Sequence, residues 1–200
     1  MTLVSGPLLS TQDGNDAADY LPRVYRAGKE RFGWGQPGAP VLFDGIGYHP
    51  YLLGDSWQPQ EEIPPRYQQY MDEIRQVILA EEGALKPIFL SEMGWQNVED
   101  RQPNCMAVGL RQALDDPTVA LCCWYGMQDD EELYGLYRRS GLSPTDRKPA
   151  YQRFCTLARE ARLVPAARVR AASERNDGRY GGEFDTVPDG SVLQPAQPFS

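Results

Sequence analysis

The chain has 200 residues, 41% of them hydrophobic and 24% charged, which supports a globular domain with its own core and excludes disordered and collagen-like classes for most of its length. A formal net charge of -8 repels a phosphate backbone, and no run of Lys and Arg interleaved with aromatics offsets it, so nucleic acid is not an expected partner. The longest nearly continuous apolar stretch, Val119 to Met127, is far short of the roughly 20 residues a membrane-crossing helix needs, and no membrane span is expected.

In chain order, Thr2 to Leu9 is apolar and glycine-bounded and reads as a strand, followed by a weak helical pattern over Ala17 to Arg26. The glycines of Gly33 to Gly38 have no strand before them and no helix start after them, so they read as a turn rather than a phosphate-binding loop. A second strand, Phe43 to His49, precedes the clearest helix, Pro65 to Glu82. There Tyr67, Tyr70, Met71, Ile74, Val77 and Ile78 form one apolar stripe, prolines mark the start and Gly83 is a natural stop. Pro87 to Met93 is a third strand and Val119 to Met127 a fourth; weaker helical patterns follow them over Cys105 to Leu114 and Pro149 to Arg162.

Strand then helix, four times over, is the signature of parallel α/β structure, because parallel strands require a crossover connection. A whole (β/α)8 barrel takes about 250 residues, so four units correspond to half of one. Either the remaining strands lie elsewhere or the chain forms a small open sheet. A half-barrel alone presents unpaired edges, so it is expected to need an N-terminal half-barrel or to self-associate.

This unit is expected to span residues 1–163. Residues 164–182 are small and polar with no apolar period and read as a linker, and 183–200 carry β-type residues around the turn Pro188-Asp189-Gly190. That last stretch resembles the opening of a four-tryptophan immunoglobulin-like domain, which implies the start of a β-sandwich. Met1 to Pro7 lack the basic start and long apolar core of a secretory signal, so export is not legible there. Cys105, Cys122, Cys123 and Cys155 form no CxxC, and with His49 as the single histidine they give no zinc-ligand spacing; buried free thiols are expected, and neither a metal nor an organic cofactor.

Functional residues of parallel sheets gather at the C-terminal ends of strands. Period-two alternation puts Gly45, Gly47, His49 and Tyr51 on one face of the second strand, Ile88, Leu90 and Glu92 on one face of the third, and Cys122, Trp124 and Gly126 on one face of the fourth. A carboxylate, an imidazole, a phenol and an indole would then meet at one rim, with Trp95 close by. A sugar site needs these groups: a carboxylate to attack or stabilise an oxocarbenium-like centre, hydrogen-bonding groups for hydroxyls, and an aromatic plate for a pyranose.

Phe43-Asp-Gly-Ile-Gly-Tyr-His-Pro-Tyr51, Lys86-Pro-Ile-Phe-Leu-Ser-Glu-Met-Gly-Trp95 and Ala120-Leu-Cys-Cys-Trp124 resemble, in order, the sixth, seventh and eighth strands of clan A retaining glycoside hydrolases of cellulase-like and xylosidase-like type. Tyr134-Gly-Leu136 and Lys148-Pro-Ala-Tyr151 resemble the loop and helix that close that barrel. The resemblance covers about residues 1 to 160 and implies strands five to eight of a (β/α)8 TIM barrel acting on a polysaccharide or oligosaccharide, with the full-length protein secreted or on the cell surface. It implies that Glu92 is the catalytic nucleophile, that Tyr51 orients it, that His49 binds substrate hydroxyls, and that Trp124 forms the sugar platform.

The family's acid/base is the Glu of an Asn-Glu pair ending the fourth strand, and this chain contains no Asn-Glu dipeptide. Retention requires two carboxyl groups about 5 to 5.5 Å apart. Only the acidic run Asp129, Asp130, Glu131 offers a replacement. Without an acid, the alternative is a non-catalytic carbohydrate-binding barrel or scaffold.

Overall fold

A computed structural model describes residues 2–10, 15–52, 60–97 and 101–162. The expected linker at 164–182 and β-sandwich start at 183–200 lie outside the described residues.

The elements alternate as the sequence predicts: β1 Leu8–Ser10, α1 Asp16–Phe32, β2 Ile46–Pro50, α2 Ile63–Glu82, β3 Ile88–Met93, α3 Gln102–Asp115, β4 Val119–Trp124 and α4 Pro149–Arg162. All neighbouring strands pair in parallel, and their spatial order β1-β2-β3-β4 is their order in the chain. Such a sheet winds in one direction only. Its crossover helices follow suit, α1 packing on α2, α2 on α3 and α3 on α4. Leu8, Ile46, Tyr48, Ile88 and Leu90 join the core with Leu21, Tyr67, Ile74 and Met106 from the helices. Alternate residues point the other way, and there Leu9 and Leu121 keep about half their surface, 50% and 47%.

The second strand starts at Ile46 rather than Phe43 and the fourth ends at Trp124 rather than Met127, and two further elements differ from the sequence expectation for identifiable reasons. The first strand is shorter than Thr2 to Leu9 because Pro7 has no N–H to give the ladder; upstream of it Val4 makes an isolated bridge to Gly45, and Ser5 N–H donates to the Gly45 carbonyl at 3.0 Å. This segment crosses so close to β2 that a Cβ on Gly47 would stand 2.8 Å from the Ser5 carbonyl oxygen. Conversely, α1 runs six residues past Arg26 to Phe32. Its buried line of Ala17, Leu21 and Tyr25 continues through Gly28, which has no side chain to signal a core position: the Trp34 ring fills that space, with Cε3 only 2.0 Å from where a Cβ would lie. Gly33 then ends the helix in the left-handed conformation at φ 69°.

Polar networks fasten the helices to the strands. At the β1 end of the sheet, Tyr48 Oη donates to Ser10 Oγ and Asn15 Oδ1, both at 3.0 Å, and Asn15 Nδ2 reaches Glu73 Oε2 on α2 at 2.8 Å. Before β4, Asp116 accepts from Tyr67 Oη at 3.0 Å and from Arg75. Before β3, the buried Lys86 ammonium sits 2.6 Å from Glu82 and 4.7 Å from the centre of the Phe43 ring. With their charges paired, these buried groups do not carry the cost of isolated ions.

Candidate active site

The C-terminal ends of β2 and β3 bring three of the sequence-predicted residues together. Tyr51 Oη donates to Glu92 Oε1, and His49 Nδ1 lies 3.5 Å from Glu92 Oε2. The other imidazole nitrogen, Nε2, is 3.0 Å from Ser91 Oγ. The carboxylate is half-buried and the imidazole more so, at 28% and 17% side-chain exposure, so both are shielded yet reachable.

Glu92 arrives there by a route that strict alternation misses. Between β3 and β4 the register runs Leu90↔Cys122 and then Met93↔Trp124, so three steps on β3 span two on β4. The extra residue is a bulge, the device that re-aims side chains beside active sites. Ile88, Leu90 and Met93 are all buried in the core, whereas Ser91 is exposed and Glu92 half-buried. The expected grouping of Glu92 with Ile88 and Leu90 is therefore corrected. Without the bulge, the carboxylate would face the helix layer.

The aromatic neighbours also differ from expectation. Trp124 pairs with Met93 and packs against the core; its indole N–H donates to the Tyr134 carbonyl at 3.0 Å and its ring tilts against Trp95 at 6.0 Å. Trp95 is 1% exposed, with its six-membered ring in the space where Gly109 of α3 lacks a side chain, 2.0 Å from a would-be Cβ. Trp95 is thus a core residue, and its expected place among the substrate contacts is corrected: it offers no surface to a ligand.

The rings beside the carboxylate are instead tyrosines. Tyr51, Tyr125 and Tyr134 pack edge to face in a triangle, with centroids 6.3, 5.9 and 5.3 Å apart. Burial raises the Tyr125 phenol above its ordinary pKa, and the negative charges of Asp130, Glu92 and Glu132 push it further in the same direction. Tyr125 therefore stays a neutral hydroxyl, able to donate a hydrogen bond.

Sequence reasoning named neither Tyr125 nor Tyr134 for this role, and it passed over Gln102. This buried side chain at the start of α3 donates to the carbonyls of Trp95 at 2.9 Å and Tyr134 at 2.8 Å, clamping the segment after β4 to the end of β3. The clamped segment includes Leu133, the one non-glycine residue at positive φ among those described, at 59°. Gly135 completes the tight turn: a Cβ there would meet the Asp129 backbone nitrogen at 2.1 Å. The neighbours of Glu92 identify Tyr125; for Gln102 no sequence signal exists.

Of the three acids considered as a second carboxyl, Asp129 is engaged elsewhere. Its Oδ1 lies 2.6 Å from Lys148 Nζ, with the two side chains 8% and 4% exposed, and the same ammonium donates to the Leu133 carbonyl at 3.0 Å. Asp130 and Glu131 are exposed on the loop surface. Among the described residues no group of three His, Cys, Asp or Glu side chains is placed to hold a metal ion.

No family model matches the chain, and no curated protein matches it either. Among the solved structures similar to the chain is a GH128 (subgroup II) endo-beta-1,3-glucanase from Sorangium cellulosum, 15% identical, with 78% of this chain and 69% of that chain covered at a TM-score of 0.45.

Proposed function

We propose that β1 to β4 are strands five to eight of a (β/α)8 barrel and that the complete barrel is a retaining glycoside hydrolase with Glu92 as its nucleophile. Singly wound strand order supports the half-barrel, as do helices packed in sequence and a second sheet face on which Leu9 and Leu121 stay half exposed until closure buries them.

The observation that carries the catalytic reading is the pair Tyr51 and Glu92, with His49 beside the other carboxylate oxygen. Here Glu92 attacks the anomeric carbon and forms a glycosyl ester, while the phenol holds the attacking group in line. Tyr125, beside that carboxylate, takes over from Trp124 as the ring facing the sugar. The acid/base that protonates the leaving oxygen comes from strands outside this chain.

A non-catalytic carbohydrate-binding barrel is the second reading, favoured by the engagement of Asp129 with Lys148. The test is to incubate the complete barrel with a 2-fluoro glycoside carrying an activated leaving group, then digest it and map the adduct by mass spectrometry. An ester on Glu92 supports the hydrolase. Sugar binding without any adduct supports the binding protein and sinks Glu92 as nucleophile.

A further inference from the structure

We propose that the Glu92 carboxylate holds the proton of a neutral His49 on Nδ1 and that Ser91 is a positioning residue that caps Nε2, which makes His49 an orienting group for Glu92 rather than a holder of sugar hydroxyls. The consequence for catalysis rests on the reading of Glu92 as nucleophile; the proton placement itself does not.

A neutral imidazole has one N–H and one lone pair, and its neighbours decide their arrangement. Nδ1 faces Glu92 Oε2 at 3.5 Å, and an ionised carboxylate only accepts. Nε2 faces Ser91 Oγ at 3.0 Å, and a hydroxyl either donates or accepts. With the proton on Nδ1 both contacts are favourable: the N–H carries its partial positive charge to within 3.5 Å of the carboxylate and Ser91 O–H donates to Nε2. With the proton on Nε2, a lone pair on Nδ1 faces the negative oxygen. Ser91 is the partner that adjusts, and it is available only because the bulge turns Ser91 and Glu92 to the His49 side of the sheet together.

Glu92 then has a polar group facing each oxygen: Tyr51 Oη–H donates to Oε1, and the His49 Nδ1–H attracts Oε2 across 3.5 Å, which together resist rotation of the carboxylate about its last bond. Nε2 is already occupied by Ser91, so His49 has no nitrogen left for a substrate hydroxyl. The dipeptide Ser91-Glu92 thus supplies the nucleophile and, through His49, its alignment.

His49 is the single histidine of the chain, so its ring nitrogens give an unambiguous 15N spectrum in the uniformly labelled 200-residue protein. The expected neutral form has the proton on Nδ1 and a hydrogen-bonded lone pair on Nε2. Ser91→Ala should move the Nε2 resonance downfield, because its lone pair loses the hydroxyl donor, and leave the proton on Nδ1, where the carboxylate holds it. Ser91→Thr, which keeps the hydroxyl, should restore the original spectrum. A wild-type neutral ring protonated on Nε2, or identical spectra for wild type and Ser91→Ala, would each overturn the assignment. These measurements need no substrate. A failed glycoside trap leaves them standing, and a failed tautomer assignment leaves an adduct on Glu92 intact.

Discussion

Tyr51 Oη donates to Glu92 Oε1, joining the residue that follows β2 to the bulged part of β3 across the two central strands of the sheet. A hydrogen bond to a charged group contributes about 1.5 to 3 kcal/mol, so removing it should be visible without being fatal. In the complete barrel, Tyr51→Phe is expected to lower kcat about 10- to 100-fold. Glu92→Gln keeps the shape and removes the attacking charge, so turnover should vanish while sugar binding persists. Full activity in Glu92→Gln, measured by steady-state kinetics on an aryl glycoside, refutes the nucleophile.

Trp95 and Gly109 form the second tight relationship, an indole filling the side-chain space of a helical glycine. Gly109→Ala forces that ring to move and should destabilise the chain by about 1 to 3 kcal/mol in urea unfolding, an overpacking cost. Trp95→Phe removes the atoms in collision, so the double variant should lose less than the two single losses combined. Strict additivity would mean that the ring does not rest on Gly109.

These two contacts mark the limit of what the sequence makes legible. Four strands and four helices can be read from apolar periodicity, because burial on one face of each element is a local pattern. Glu92, His49 and Tyr51 can be placed near one rim because strand ends of a parallel sheet share an edge. The bulge cannot be read: it depends on how β3 pairs with β4, and a slip of one residue decides which face Glu92 occupies. Nor can the fate of the tryptophans, since Trp95 is drawn inward by a glycine fourteen positions later and Trp124 by the Tyr134 carbonyl. Pairing across distant segments, rather than propensity, separates the rim from the core.

Lys148 ties the start of α4 to the loop after β4 through Asp129, with both charges nearly buried. Removing one partner leaves the other unpaired away from water. Lys148→Met should therefore cost about 3 to 5 kcal/mol, and Lys148→Met with Asp129→Leu clearly less. Chemical denaturation of the three proteins decides it, and a double variant as unstable as Lys148→Met alone would argue against the pairing.

Alkaline pH should loosen the fold in a defined window. Burial pushes the Cys122 thiol up to about 12, and it raises the Tyr67 and Tyr48 phenols as well. An unfolded thiol ionises near 8.5, so between about 8.5 and about 12 the folded state binds more protons than the unfolded one. The stabilisation is thus complete below about pH 8.5 and lost as pH rises toward 12. Urea midpoints should hold steady from pH 7 to 8 and fall progressively above 9. In Cys122→Ala the early part of that fall should shrink; an unchanged profile would show that Cys122 does not contribute.

Residues 1–200 alone should hydrolyse no natural glycoside. Retention needs one carboxyl to attack and a second to protonate the leaving oxygen and later to activate water. On the proposed reading Glu92 meets the first need. For the second, Asp129 is held by Lys148, while Asp130 and Glu131 are exposed, and Asp130 Oδ1 accepts from the Glu132 backbone N–H at 2.8 Å. All three follow β4, the strand next to the one that carries Glu92, whereas the resemblance places the acid on the opposite wall of the barrel. As the proposed nucleophile, Glu92 unaided would be limited to glycosides whose leaving group needs no proton. Assaying the chain on aryl glycosides with good and poor leaving groups separates the cases, with turnover expected at most for the good ones. Hydrolysis of an unactivated oligosaccharide, abolished by replacing Asp130 or Glu131, would make this chain a self-sufficient enzyme and overturn the assignment of the acid to another part of the barrel.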